Sequence, residues 1–513
     1  MSVFIALFRF VIFLLVCKLL IRLYHFINYC IIVNKIPGPV SYPLSIFALP
    51  FAFLRVTKED RFAGFYELCQ KYKKGIFRTS EAFDDVVVNI FKPELLEVIL
   101  SSNKLITKAK LYEFLDPWFG EGMLTSTGDK WVQKRKIISP SFHFEILNGF
   151  TNIVLRKTKI LEQVIEENLK VDPKKPMDFA TLAIRFSFDT ICETIMGINL
   201  DVQKNYACDG YSDSAHRAGE ILIKRINTPW LQWDPIFFKT KLGDDLKLAA
   251  KTINTFTSQL IKKKREARRL EVKKIVETND PDDFEKRDKK PFLDLILDIQ
   301  EKDKNFLNET ELVEEVNTFL FGGYDTVAAG IGWVMFHLGN EPEIQEIVHQ
   351  ELDDIFGNSK EPATMNQVLE LKYLDRVIKE SFRIHPPGPT VARRLTEDIE
   401  LGGYQVPKGT VVHLQIIVMH RDPEVWPDPF KFDPDRFLPE NLQDRHPYAF
   451  IPFSAGPRNC LGQNLAWVEL RFVLSSLLRK YRVKSVRKPE EMKEIWSATL
   501  LPFEGIPMHF IPK

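Results

Sequence analysis

The decapeptide Phe453-Ser454-Ala455-Gly456-Pro457-Arg458-Asn459-Cys460-Leu461-Gly462 constrains this 513-residue chain more than any other stretch. Gly456 permits a tight backbone and Gly462 close packing, while Leu465, Ala466, Val468, Glu469, Phe472, Val473 and Leu477 mark a strongly apolar helical run just beyond. Cys460 therefore falls near a helix N-terminus, where the positive end of the dipole favours a thiolate. A rigid approach, nearby hydrogen-bond donors and little side-chain bulk are what an axial sulfur ligand of a metal macrocycle needs. Phe453 can cover the sulfur side of such a flat ring, and Arg458 can meet one of its carboxylates. The bland alternative is a buried structural cysteine. It is set aside because Phe, Gly, Arg, Cys and Gly at these five spacings arise by chance in a chain this long with a frequency on the order of 10⁻⁴.

Glu380-Ser381-Phe382-Arg383 puts an acid and a base three apart on one helical face, but so do Glu266 and Arg269, which read as a solvated face in a charge-rich stretch. Context separates the two pairs. Glu380 and Arg383 follow the apolar positions Leu371, Leu374, Val377 and Ile378, precede Pro386-Pro387, and lie upstream of Asp433-Pro434-Asp435-Arg436-Phe437. Two guanidiniums around one carboxylate can share bidentate hydrogen bonds that lock an irregular loop.

A helical pattern runs from about Asn308 to Leu338, with capping-box spacing between Asn308 and Glu311. Inside it, Gly322 and Gly323 each cost roughly 1 kcal/mol relative to alanine. A local widening of the helix would admit a small ligand and water there, with Asp325 and Thr326 as the acid and hydroxyl of a proton relay. The alternative is a glycine kink that merely permits helix packing. Trp131 and Arg135, four apart, share another helical face, and Arg393 follows the turn Pro386-Pro387-Gly388-Pro389.

From about residue 35 to the C-terminus these segments resemble the cytochrome P-450 superfamily. The resemblance implies a mainly α fold with a minor β-sheet, and non-covalent haem b as cofactor. It makes Cys460 the axial iron ligand within a loop that includes Phe453, Gly456, Arg458 and Gly462, and it sets Trp131, Arg135, Arg393 and Arg458 against the haem propionates. Glu380, Arg383 and Arg436 would form a buried structural triad behind the haem, Thr326 would be the oxygen-activating alcohol, and Asp325 the acid that orients or feeds it.

Within the superfamily, Trp118-Phe119-Gly120-Glu121-Gly122-Met123-Leu124-Thr125-Ser126, Pro140-Ser141-Phe142-His143-Phe144 and Arg394-Leu395-Thr396-Glu397-Asp398 look like family 4, whose members are often fatty-acid terminal hydroxylases. Where many members carry a Glu esterified to the haem this chain has Gly322, so covalent attachment at that position is chemically impossible. Tyr324 replaces the usual His and Val327 the usual second Thr. Candidates for the substrate pocket are Trp118, Phe119, Phe321, Gly322, Thr390, Val391 and Leu501.

Because the motif residues are spread from Trp131 to Gly462, one large domain, 35–513, must bring them together behind an N-terminal anchor, 1–34. Strand patterns are few, the best being Val86 to Phe91 and a hairpin-like Ile399 to Val418. Trp426, Phe430 and Phe432 argue that the proline-rich stretch Pro423 to Pro439 is a packed meander. Residues 3–33 are apolar without a small-residue cleavage site, which favours a retained membrane anchor, although Arg9, Lys18 and Arg22 interrupt it. Lys35-Ile36-Pro37-Gly38-Pro39 would end that helix as a stiff hinge.

A formal net charge of +1 without a basic, aromatic-interleaved tract does not indicate nucleic acid as a partner, and Lys262-Lys263-Lys264-Arg265 reads as a solvated helix face. Cys17, Cys30, Cys69, Cys192, Cys208 and Cys460 have no zinc or disulfide-scaffold spacing, which fits a reducing compartment.

The resemblance implies an endoplasmic reticulum membrane protein facing the cytosol, with Asn308-Glu309-Thr310 unglycosylated. It would insert one oxygen atom of O2 into a C–H bond of a small lipophilic substrate, with fatty acids oxidised near the terminal carbon leading over isoprenoids, steroid hormones or xenobiotics. Electrons would come from NADPH through a separate NADPH-cytochrome P-450 reductase, with cytochrome b5 as a second donor, since no nucleotide-binding glycine motif follows a strand-like segment. Lys130, Lys134 and Lys136 could present positive charge to that partner. Two readings of another class remain: a haem-thiolate isomerase or dehydratase, and a non-catalytic haem sensor.

Overall fold

The computed structural model describes residues 2–43, 60–80, 86–142, 144–206, 208–278, 291–302, 307–496 and 498–513; His143 lies outside them. Its central element is the helix Glu309–Asn340. Asn308 caps it as its spacing predicts: the Glu311 N–H donates to Asn308 Oδ1 and the Asn308 N–H to the Glu311 carboxylate, both at 3.0 Å. The helix is apolar on nearly every side from Val316 to Leu338, and such a helix belongs in a core. It is long and apolar enough to cross a membrane, but 83% of that apolar window is buried within the protein.

Gly323 lets the neighbouring helix Phe179–Thr194 approach, because a Cβ there would lie 2.3 Å from Ile191 Cδ1. The expected widening is absent: the segment is α-helical throughout, and Thr326 Oγ1 bonds back to the Gly322 carbonyl at 2.7 Å within the regular turn.

The largest sheet among the described residues runs Ile76–Ser80, Val86–Ile90, Val411–Leu414, Val391–Arg394. Its middle pair is parallel, with Val88 opposite Val412, and the outer pairs are antiparallel. The expected hairpin from Ile399 to Val418 divides. Ile399–Leu401 and Tyr404–Val406 pair around Gly402 and Gly403, both at positive φ, whereas Val411–Leu414 joins the large sheet and Ile416–His420 is helical. Buried Val411, Val412 and Leu414 gain more by sheet burial than by extending a two-stranded ribbon.

Trp426 anchors the proline-rich meander, buried between the guanidiniums of Arg383 and Arg445 at 5.2 and 3.9 Å from its ring. Phe432 is also buried, stacked on His337. Phe430 departs from expectation and stays on the surface, touching Tyr66 edge-on at 5.8 Å. In the basic run, Lys264 is likewise not solvated; it is buried in an ion pair with Asp294 at 2.7 Å.

The N-terminal helix Ser2–Val33 is bare along its apolar length, while its end is docked. Val33 and Ile36 are fully buried, Tyr29 OH lies 3.3 Å from Thr410 Oγ1, and the Asn34 amide clasps both backbone polar groups of Tyr42 at 2.8 and 2.9 Å. The stiffness expected of Lys35–Pro39 arises from this docking, reinforced by the Arg78 N–H bond to Pro37 O at 2.7 Å.

Candidate functional site

The loop before the helix Gln463–Lys480 turns twice through left-handed backbone, at Ser454 (φ 59°) and Gly456 (φ 72°). Only glycine fits the second place, because a Cβ would lie 1.7 Å from the Leu100 carbonyl oxygen. The Cys460 N–H closes the loop onto Phe453 O at 3.0 Å, and Phe453 packs between Phe382 and Trp467, 5.9 Å from each ring. Cys460 is accessible to solvent, yet burial pushes its thiol up against the opposing pull of the Gly462 N–H, Arg135 and the Gln463 N–H. Accessible surface together with enclosure describes a sulfur facing an internal recess. A coordinated metal ion would hold such a sulfur as the thiolate.

Around that recess the chain gathers cations. Arg135 donates to Asn459 O at 2.9 Å and to its Oδ1 at 2.6 Å. The Arg458 guanidinium lies 4.5 Å from the ring of buried Trp131 and donates to Ile106 O at 2.9 Å and to Ser126 O. Buried Arg393 donates to Ala392 O at 3.0 Å. Lys108, bridged to Arg393 through the backbone, holds its ammonium 4.2 Å from the Tyr112 ring.

Among the described residues none of these four cations has a carboxylate within ion-pair distance. Burial, then Arg393, with a smaller contribution from Arg135, draws Arg458 down to about 9. Burial, Arg393 and Arg458 draw Lys108 well below the usual lysine range. A set of like charges, one buried and three part-buried, with no acid within ion-pair distance among the described residues is a receptor for anions, and two carboxylates on one flat macrocycle match it. The residues therefore fit haem. Lys108 and Asn459 had no signal in the sequence beyond their residue types.

The expected triad is assembled. Arg383 grips Glu380 with two parallel bonds of 2.7 and 2.8 Å, Arg436 Nε stands 3.4 Å from Glu380 Oε1, and the Asp433 N–H donates to that oxygen at 3.0 Å. Arg383 also donates to His420 O at 2.9 Å and to Lys431 O at 3.4 Å, so one buried side chain ties the helix Lys372–Ile384 to the end of the helix Ile416–His420 and to the meander.

On the helix Glu309–Asn340, Asp325 and Thr326 are adjacent without touching. Buried Asp325 accepts from Thr499 Oγ1 at 2.6 Å, while the Thr326 hydroxyl is directed at Gly322 O. Phe321 stands 4.8 and 5.5 Å from Trp118 and Phe119, which stack at 4.3 Å. Both of those rings are buried, so they back Phe321 rather than line open space. A Cβ on exposed Gly322 would meet nothing within 4 Å. Tyr324 is buried among Phe188, Tyr211 and Phe321.

Thr390 donates to Gln415 Oε1 at 2.7 Å beside Val391 on the large sheet, and Leu501 is on the strand Leu500–Pro502, next to the Thr499 that reaches Asp325. Lys134 does not present charge outward. It is buried in a 2.6 Å ion pair with Glu315, Lys130 is paired with Glu121 and Glu311, and Lys136 alone of the three is left exposed.

The family model for cytochrome P450 matches residues 39–508. Cytochrome P450 4c21 of Blattella germanica is 42% identical over 465 residues, 90% of each chain. Cytochrome P450 4V2 of Mus musculus is 42% identical over 420 residues, 82% of this chain and 79% of its own. Cytochrome P450 4c3 of Drosophila melanogaster is 37% identical over 494 residues, 94% and 90% of the two chains. The crystal structure of the cytochrome P450DA heme domain matches with a TM-score of 0.76 at 20% identity, covering 93% of this chain and 98% of its own, a likeness of fold.

Proposed function

Because this chain belongs to the cytochrome P450 family and is most like family 4, a haem-dependent monooxygenase, we propose that it hydroxylates fatty acids near the terminal carbon. Electrons reach it from NADPH through a separate reductase, with cytochrome b5 as a second donor. The helix Ser2–Val33 anchors it in the endoplasmic reticulum membrane, and residues 35–513 form the catalytic domain on the cytosolic side.

Bound haem supplies the chemistry that activates O2 and delivers one oxygen atom to a C–H bond. Cys460 would supply the thiolate that holds its iron. Trp131, Arg135, Arg393, Arg458 and Lys108 would hold its two carboxylates, and the Glu380, Arg383 and Arg436 triad would keep the meander in shape. Thr326 would offer its hydroxyl to the reacting oxygen, and Asp325 would hold the proton that replenishes it. The observation that carries this reading is the accessible Cys460 sulfur together with buried Arg393 and the part-buried cations Lys108, Arg135 and Arg458, which have no carboxylate within ion-pair distance among the described residues. An isomerase or a sensor would have no use for the acid and alcohol at Asp325 and Thr326.

Purified protein with reductase, NADPH and a panel of fatty acids, with products identified by mass spectrometry, tests the proposal. Chiefly terminal alcohols support it. No oxidation by a preparation with an intact haem-thiolate spectrum sinks it, and the open space at Gly322 then favours a second reading, bulkier isoprenoids, steroids or xenobiotics.

A further inference from the structure

Asp325 is 2% exposed. One carboxylate oxygen accepts from Thr499. The other, Oδ1, lies 3.5 Å from Nε2 of His216, an ion-pair distance, and neither of these two atoms has a hydrogen bond among the described residues. His216 belongs to the helix Asp209–Ile226, which packs against Lys241–Thr278. Its side chain is 36% accessible, although burial is the largest single influence on its proton affinity. The ring therefore meets solvent on one side and turns one nitrogen to a nearly buried carboxylate on the other. A hydroxyl such as that of Thr499 can pass a proton without storing one, whereas an imidazole stores one near neutral pH.

We propose that His216 is the positioning residue that sets the protonation of Asp325 and thereby meters protons to Thr326; this rests on the acid and alcohol reading above. In the step, the Nε2–H bond of the imidazolium breaks and an O–H bond forms at Asp325 Oδ1. The ring becomes neutral imidazole and the carboxylate a carboxylic acid, and the ring regains its proton from water. No electrons are transferred.

The surroundings suit the role. Burial works against the cation, but the carboxylate of Asp325 at 3.5 Å, with the charges of Asp213 and Glu220 on its own helix, outweighs it and raises the pKa of His216. On the packed helix Lys241–Thr278, Asp245 is taken by Arg217 at 2.7 Å. Burial keeps the phenols of Tyr211 and Tyr324 neutral. His216 thus holds its proton to higher pH than a free imidazole does and gives it up as pH rises.

The test uses full-length holoenzyme with reductase and dodecanoic acid, and reads product formed per NADPH consumed against pH, a ratio insensitive to the rate at which the reductase delivers electrons. In the native enzyme the ratio falls several-fold as pH rises through the His216 midpoint. His216→Gln is low and flat across pH, with hydrogen peroxide release up about tenfold. His216→Lys, which keeps a cation and has no titration in this range, abolishes the alkaline fall.

Independently of turnover, the resonance of ¹³C-labelled histidine that disappears in His216→Gln, and equally in His216→Lys, titrates above the ordinary value of about 6.5 in the native protein and moves down in Asp325→Asn. An unmoved His216 resonance in Asp325→Asn overturns the inference even if the glutamine variant fails to fold or dodecanoic acid is not oxidised. A native pH profile in His216→Gln, with Asp325→Asn uncoupled, overturns the inference and leaves the relay standing. Full coupling in both Asp325→Asn and Thr326→Ala overturns the relay and the inference with it.

Discussion

Single side chains carry two tests that need no knowledge of the substrate's identity. Thr326→Ala removes the hydroxyl and one methyl while leaving the helix itself in place, so haem and substrate binding persist while product per NADPH falls by about tenfold or more and peroxide appears instead. Unchanged coupling would remove Thr326 from the mechanism.

His420 reports on stability. Its Nε2 accepts the Ile451 N–H at 3.0 Å, which requires a neutral ring, and burial, followed by the charge of Arg383, holds its pKa down to about 3. The unfolded chain takes up this proton near pH ~6.5, so the stabilisation is complete above that pH and is lost as pH falls toward the folded value, on the order of 4 kcal/mol over the span. Stability measured by denaturant between about pH 4 and 6 therefore has a shallower slope in His420→Gln. An equal slope in both proteins would show that another group drives acid unfolding. Cys460, Gly456 and Arg458 could be read from the chain because their geometry is local. His216 and Thr499 could not, because what gives them meaning is Asp325, which Thr499 meets across a separation of 174 residues.

Among the elements, the helix Lys372–Ile384 and the meander are one unit because Arg383 reaches both. Arg383→Lys keeps the charge but cannot supply two parallel bonds to Glu380 together with the bond to His420 O. The loss is about 3 kcal/mol, visible as a lower thermal midpoint and poorer haem retention. A midpoint within a degree or so of the native protein's would mean that Arg436 suffices.

The triad was legible through the family resemblance, since an acid and a base three apart on one helical face also occur at Glu266 and Arg269. The strand Val411–Leu414 was not. A parallel partner more than three hundred residues away leaves no local mark, whereas its neighbour Tyr404–Val406 announces its hairpin through Gly402 and Gly403. The uninterrupted distal helix was misjudged for a related reason. Gly323 answers to Ile191 on another helix, not to a distortion in its own.

For the whole molecule, the docked end of the N-terminal helix divides truncations into two classes. Removing residues 2–28 takes away, apart from the Phe26 ring 6.0 Å from Tyr42, surface that the rest of the chain leaves bare, so unfolding changes little while membrane association falls. Removing residues 2–37 also strips Val33 and Ile36 from the core, where each is fully buried, and costs about 3–5 kcal/mol in chemical denaturation. Equal stability of the two truncations would mean that the docking carries no energy. The mainly α architecture was legible in the amphipathic runs, and the position where anchor gives way to domain was blurred because Tyr29 and Cys30 pack as part of the domain while still in helical register with the anchor.

The cations Arg135, Arg393, Arg458 and Lys108 reach beyond catalysis. Their mutual repulsion opposes closure of the chain on its own, and an incoming dianion relieves it, so cofactor capture and folding are linked equilibria. A cell short of haem would then hold less of the folded protein, and not merely an inactive form of it, so that cofactor supply governs abundance as well as activity.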